Sequence, residues 1–172
     1  MGSVHERRWV EVPLARAPGY VDGYVRDVES EGQGRIVLTV KVPLERLGFD
    51  RCMEISKAVS VRFAPLAGRN ALKHLTAISW EPEGVGPFPH FNGTVGVEAE
   101  ETDGTCCLTL DGDYDPPLGV VGDAFDAILG KHIARLTARN LLDEIAIMME
   151  MAHSSAKARA SARQTFTRSS RP

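Results

Sequence analysis

From Asp113 to about His153 the chain reads Asp-Tyr-Asp-Pro-Pro-Leu-Gly and then one long, largely apolar helical pattern, and nearly everything before it reads as short strands. That order constrains the architecture more than any single residue does. Pro116 and Pro117 do not fit inside a central strand, whereas proline suits the first turn of a helix, with Asp115 as N-cap. Beyond them Phe125, Ile128, Leu129, Ile133, Leu136, Leu141, Leu142, Ile145, Met148, Met149 and Ala152 recur at helical spacing. Lys131, Arg135, Arg139, Asp143 and Glu150 fall mostly on the other side. The pattern predicts a helix from Val121 to Met151 that closes the fold. Gly130 inside it costs about 1 kcal/mol relative to Ala and suits a close approach or a slight bend.

The segments before it alternate with period two. Glu6 to Pro13 reads as a first strand, with Val10 and Val12 on one face. Residues 14–34 carry Pro18, Gly19, Gly23, Gly32 and Gly34, so Ala15 to Val28 is expected to hold at most a short helix. Ile36, Leu38, Val40 and Val42 mark a strand that Pro43 stops, and residues 44–51 read as a helical turn or loop. Met53 to Phe63 forms the next strand, ending at Pro65, with Lys57 as a misfit on its apolar face. After the turn at Ala67-Gly-Arg-Asn, Leu72 to Glu81 puts His74, Thr76, Ile78 and Trp80 on one face. A Pro- and Gly-rich loop leads to Phe91–Ala99, and Asp103-Gly104 turns a hairpin into a strand facing inward with Cys106, Leu108, Leu110 and Tyr114.

A chain of 172 residues, 43% hydrophobic and 25% charged, is long enough for one domain with its own core. Its formal charge of -3 is uneven: residues 154–172 carry +5 and no acid, which leaves -8 on residues 1–153. An acidic body does not suit a nucleic-acid binder, because that affinity draws on clustered positive charge. The reading is one domain over 1–153 and a basic, solvated, disordered tail over 154–172. With no bilayer-length apolar run and no signal-peptide core, the expected location is cytoplasmic. Cys106 and Cys107 are adjacent on a strand and point to opposite faces, so with Cys52 they read as ordinary thiols.

The Tyr114-Asp-Pro-Pro-Leu-Gly junction, the helix Val121 to Met151 and the antiparallel strands before it resemble the START/Bet v 1-like (SRPBCC) superfamily, closest to its polyketide cyclase/dehydrase-like bacterial members. The resemblance covers nearly all of residues 4–153 and is one of shape, with no catalytic signature. It implies an α+β helix-grip fold: a curved antiparallel sheet of about six to seven strands around one long C-terminal helix, with a cavity between them. Members usually place two short helices between the first two strands, and the breakers in 14–34 depart from that.

Two histidines, His74 and His132, are the better candidates for a polar group inside such a grip; for His5, His90 and His153 a surface or structural role is the ordinary reading. Trp80, Phe91, Tyr114, Phe125 and Ile128 would line the cavity, or equally form plain core. Asp111, Asp113 and Asp115 share one strand face and are expected to point to water. No His-x-His, His-Glu-x-x-His or His/Cys spacing calls for a metal. No phosphate loop, nucleophile elbow or dinucleotide fingerprint calls for a cofactor.

Three functions follow. The first is binding of a hydrophobic or amphipathic small molecule between sheet and helix. The second is a cyclase- or dehydrase-type enzyme using a pocket histidine or acid, although no catalytic constellation is visible. The third is an interaction module with a vestigial cavity, in which an exposed Met148-Met149-Met151 edge would join two copies as a homodimer.

Overall fold

The computed structural model describes residues 2–32, 34–43, 52–66, 73–84, 89–100, 104–115 and 123–169. The chain order is β1 (Gly2–Val10), α1 (Ala17–Gly32), β2 (Arg35–Pro43), β3 (Cys52–Pro65), β4 (Lys73–Pro82), β5 (His90–Ala99), β6 (Cys106–Asp115) and α2 (Asp123–Ser169). The strands form one six-stranded sheet in the order β1-β6-β5-β4-β3-β2. All pairs are antiparallel.

Alternation sorts the strands into two faces. On the inner face one transverse row runs Val61, Trp80, Phe91, Tyr114 and Gly2; the next runs Phe63, Ile78, Gly93, Gly112 and Val4. A third row, farther along, joins His74, Val97, Leu108 and Arg8. The sheet needs its glycines at the centre of the second row. A Cβ on Gly93 or Gly112 would collide with the facing backbone and with the ring of Phe91, so side-chain-free positions let the two strands approach and bend there.

The sheet's inner face closes on α2. Ile133, Ala134, Ala138, Leu141, Leu142, Ile145 and Met149 of the helix pack with Trp80, Phe91, Val95, Val97, Leu108 and Leu110. Polar ties hold both sheet edges to the helix. At one edge Arg135 Nε donates to Glu6 at 2.6 Å, Arg139 donates to the same carboxylate at 3.2 Å, and Arg8 pairs with Asp143 at 2.9 Å. At the other edge Asn140 donates to the Thr39 carbonyl at 2.9 Å. The architecture is the expected α+β helix-grip: a curved antiparallel sheet packed on a long C-terminal helix. The Pro116-Pro117 junction and the start of the expected helix at Val121 lie outside the described residues.

Two expectations change. The breakers in residues 14–34 predict at most a short helix, yet α1 has 16 residues. Pro18 falls in its first turn, where a missing N–H removes no helical bond. Burial outweighs the glycines: Ala17, Val21 and Tyr24 recur at helical spacing and are 5% exposed or less. Gly34, with φ of 77°, then turns the chain into β2. A Cβ on Gly23 would meet nothing within 4 Å. Gly23→Ala is therefore expected to raise stability by about 0.5–1 kcal/mol, read as a higher urea midpoint.

The second change concerns the tail. Composition predicts a disordered segment from residue 154, but α2 continues without a break to Ser169. Ala, Lys, Arg and Ser at these positions include good helix formers, and propagating an existing helix avoids the cost of nucleating one. Among the described residues, no helix is long and apolar enough to cross a membrane.

Candidate functional site

The inner face next to α1 is not filled. Helix α1 spans the end of β3 and the start of β4 and leaves a groove of about 520 Å³, within the size range of small-molecule sites. Its apolar lining comes from Val25, Phe63, Leu66 and Leu75. Phe63 is held in place by an edge-to-face contact with the buried Tyr24 ring, at 6.2 Å between centroids. Burial, and secondarily the charge of Glu144, pushes the Tyr24 phenol well above its ordinary pKa, so this ring stays neutral.

The polar lining is concentrated on α1 and at the start of β4. His74 Nε2 lies 3.2 Å from Asp22 Oδ1, and Arg26 and Glu29 follow Asp22 at helical spacing along the same groove. Arg26 Nε also donates to the Asp22 carbonyl at 3.1 Å. The His74 side chain is 16% exposed and that of Asp22 48%, so the pair straddles the boundary between apolar floor and solvent. Gly19 completes the wall, and a Cβ there would meet nothing within 4 Å. Chemically the groove offers an apolar floor, one imidazole and charges of both signs at its rim.

Of the seven residues picked from the sequence, the five with described side chains fall in more than one place. His74 lines the groove. Trp80 lies six residues farther along β4, about 20 Å away at strand spacing. It is 1% exposed, stacks on Phe91 at 4.0 Å between centroids, and donates from Nε1 to the Pro89 carbonyl at 3.1 Å. Tyr114 is 5% exposed in the same row, and burial raises its pKa. These three rings sit in packed core. His132 is half-buried on α2, and its Nε2 is sequestered without a hydrogen-bond partner. The side chains of Phe125 and Ile128 lie outside the described residues.

The remaining candidates take surface or structural roles. His5 pairs with Asp111 on the outer face, Asp113 and Asp115 are exposed beside them, and His90 is exposed. His153 meets Tyr20 at 3.4 Å and ties α2 to α1. Arg135, which the sequence marks as a polar exception on the helix, is committed to Glu6.

Cys106 and Cys107 do face opposite ways, and both are buried because β6 is covered on its outer face as well. There Arg7 Nε donates to Cys107 Sγ at 3.4 Å. Burial, then the neighbouring Cys107, pushes the Cys106 thiol from 9.0 to about 11. A raised acid keeps its stabilising neutral form below the unfolded value and loses it as pH climbs through the folded one. Stability measured by urea unfolding is therefore expected to fall from about pH 9 upward, by roughly 2 kcal/mol from this group near pH 11. The fall should shrink in Cys106→Ala.

Asp22, Val25, Arg26 and Phe63 are not singled out by the sequence reading. Their signal is present in the helical spacing of Ala17, Val21, Tyr24 and Val28, beneath the conspicuous glycines.

Solved structures of low sequence identity resemble this chain. The chain is similar to TTHA0849 from Thermus thermophilus, at 12% identity over 88% of this chain and 99% of that one, with a TM-score of 0.50. It is also similar to a START superfamily protein from Mycobacterium smegmatis, at 9% identity over 90% and 98% of the two chains, TM-score 0.42. A third is Ara h 8.0201, at 13% identity over 90% and 98%, TM-score 0.43. No family model matches the chain, and no curated protein matches it. The likeness to the Thermus thermophilus structure is one of overall fold.

Proposed function

We propose that the protein binds an amphipathic small molecule in the groove between α1 and the β3–β4 end of the sheet. One observation carries this reading: the open space on the inner face combines an apolar floor with a polar rim, at a volume that suits a small organic ligand. The apolar body of the ligand would lie on Phe63, Val25 and Leu66. Its polar head would face His74, Asp22 and Arg26. This reading places the site beside α1, while the described side chains of Trp80, Phe91, Tyr114, Leu141 and Ile145 belong to the buried core.

Native mass spectrometry of gently purified protein, followed by titration with amphipathic molecules of graded length, tests the proposal. The expected result is a co-purifying or saturably bound small molecule at one per chain. Absence of both an adduct and saturable uptake across the series overturns it.

The His74–Asp22 pair favours a second reading, an enzyme of the cyclase or dehydrase type. An imidazole oriented by a carboxylate at the edge of an apolar groove is suited to taking a proton from a bound ligand and returning it. The discriminating variant is His74→Gln. Catalysis requires that turnover of the identified ligand be lost while binding survives; simple binding predicts a modest change in affinity and no turnover in either protein.

A further inference from the structure

The C-terminal half of α2 carries a feature that ligand binding does not use. Ile147, Met148 and Met151 are 53%, 43% and 62% exposed, three large apolar side chains on one stretch of helix. The same face continues through Ser155 and Ala158 to Ala162, all small and all exposed. Beyond His153, which rests on Tyr20, the helix runs on for about 24 Å to Ser169 at 1.5 Å per residue. Isolated helices of this length are marginal in water, so a partner surface on the exposed stripe would supply what the body of the domain does not.

Charge and size decide what that partner is. Residues 143–150 hold Asp143, Glu144 and Glu150 and no base; residues 154–169 hold Lys157, Arg159, Arg163 and Arg168 and no acid. Large side chains mark the first part of the stripe and small ones the second. A second copy of the same helix, laid antiparallel and crossing at Met151, matches both patterns. Ile147 and Met148 of one copy fall opposite Ser155 and Ser154 of the other, so bulky groups meet small ones and the helices can approach closely. Glu144 of one copy falls level with Ala158 of the other, beside Arg159; Asp143, level with Arg159, already pairs with Arg8. A parallel, in-register pairing would instead set acid beside acid, base beside base and large beside large. Such self-complementarity about a two-fold axis is what a closed homodimer requires.

We infer that the exposed Ile147–Met148–Met151 stripe of α2 is a homodimer interface, in which two copies pair antiparallel so that the acidic segment of each helix lies along the basic segment of the other. The groove at α1 lies elsewhere and is not needed for this pairing. The contribution of apolar burial dominates the affinity, and the charge pattern sets the direction.

Sedimentation equilibrium of the full chain tests the pairing, and cysteine cross-linking tests its direction. The full chain is expected to be dimeric. Met151→Glu, a change at an exposed position, should weaken association at least about tenfold while thermal unfolding shows the domain still folded, any loss of helical circular dichroism being confined to the segment beyond His153. Mixing Ile147→Cys chains with Ser155→Cys chains should give the mixed disulfide in excess over either homotypic one. A full chain that stays monomeric at millimolar concentration overturns the inference. So does a dimer untouched by Met151→Glu, and a preference for homotypic Ile147→Cys cross-links overturns the antiparallel arrangement.

Discussion

Trp80→Ala is expected to cost about 3–5 kcal/mol of folding stability, the range for emptying a large aromatic from a packed core. The indole is 1% exposed, stacked on Phe91 across the β4–β5 pair, and its N–H is satisfied by the Pro89 carbonyl. Removing it deletes the stacking partner, opens a void beneath α2 and leaves that carbonyl unpaired. The measurement is the shift in guanidinium midpoint at constant slope, with Trp80→Phe as a milder control that keeps a ring on Phe91. Trp9 is 56% exposed, so the blue-shifted part of the parent's fluorescence reports on Trp80 alone. A stability loss below about 1 kcal/mol, with altered ligand selection, would place Trp80 in a binding-cavity wall and contradict the packed row described above.

The architecture is readable because it follows from repeating patterns. Period-two alternation locates β2 to β6 within a residue or two at most ends, and the helical spacing after Asp123 locates α2. β1 begins at Gly2, ahead of the expected Glu6, because Ser3 and His5 pair with Asp113 and Asp111 in a register that only the partner strand reveals. The inward position of Glu6 is equally hidden. A glutamate in a strand reads as solvent-facing, and its burial depends on Arg135 and Arg139 arriving from a helix more than a hundred residues later.

The site is less legible than the fold. His74 faces inward as expected, since β4 alternation fixes that. Its partner Asp22 lies on α1, a segment whose glycines suggest disruption when burial of Val21 and Tyr24 decides the matter. Grouping His74 with Trp80, Phe91 and Tyr114 follows from their common face, but a common face does not place residues at the same point along a strand. His74 lies three inner-face rows along β4 from the stacked rings. The end of α2 misleads for a related reason. Ser, Ala and Arg content resembles a solvated tail, and whether such a segment is helical depends on the helix that feeds it.

Gly19→Trp is the second large effect expected, a loss of ligand affinity of about two orders of magnitude or more. Space exists at this position for a side chain to start without collision, and the glycine lines the groove. An indole there would occupy volume that the ligand needs. Replacing a helical glycine also removes backbone freedom from the unfolded chain, so the variant should fold at least as well as the parent. Loss of binding with stability retained separates a blocked site from a damaged protein. Gly23→Ala, with equally open surroundings, provides the matched control that leaves the groove alone.

The most direct measurement is a fluorescence titration of the parent, Gly19→Trp and Gly23→Ala chains with anilinonaphthalene sulfonate, an aromatic body with one anionic head. The groove account predicts saturable one-to-one binding to the parent and to Gly23→Ala, and none to Gly19→Trp at equal thermal stability. Unchanged affinity in Gly19→Trp, or no saturable binding by the folded parent, would contradict it.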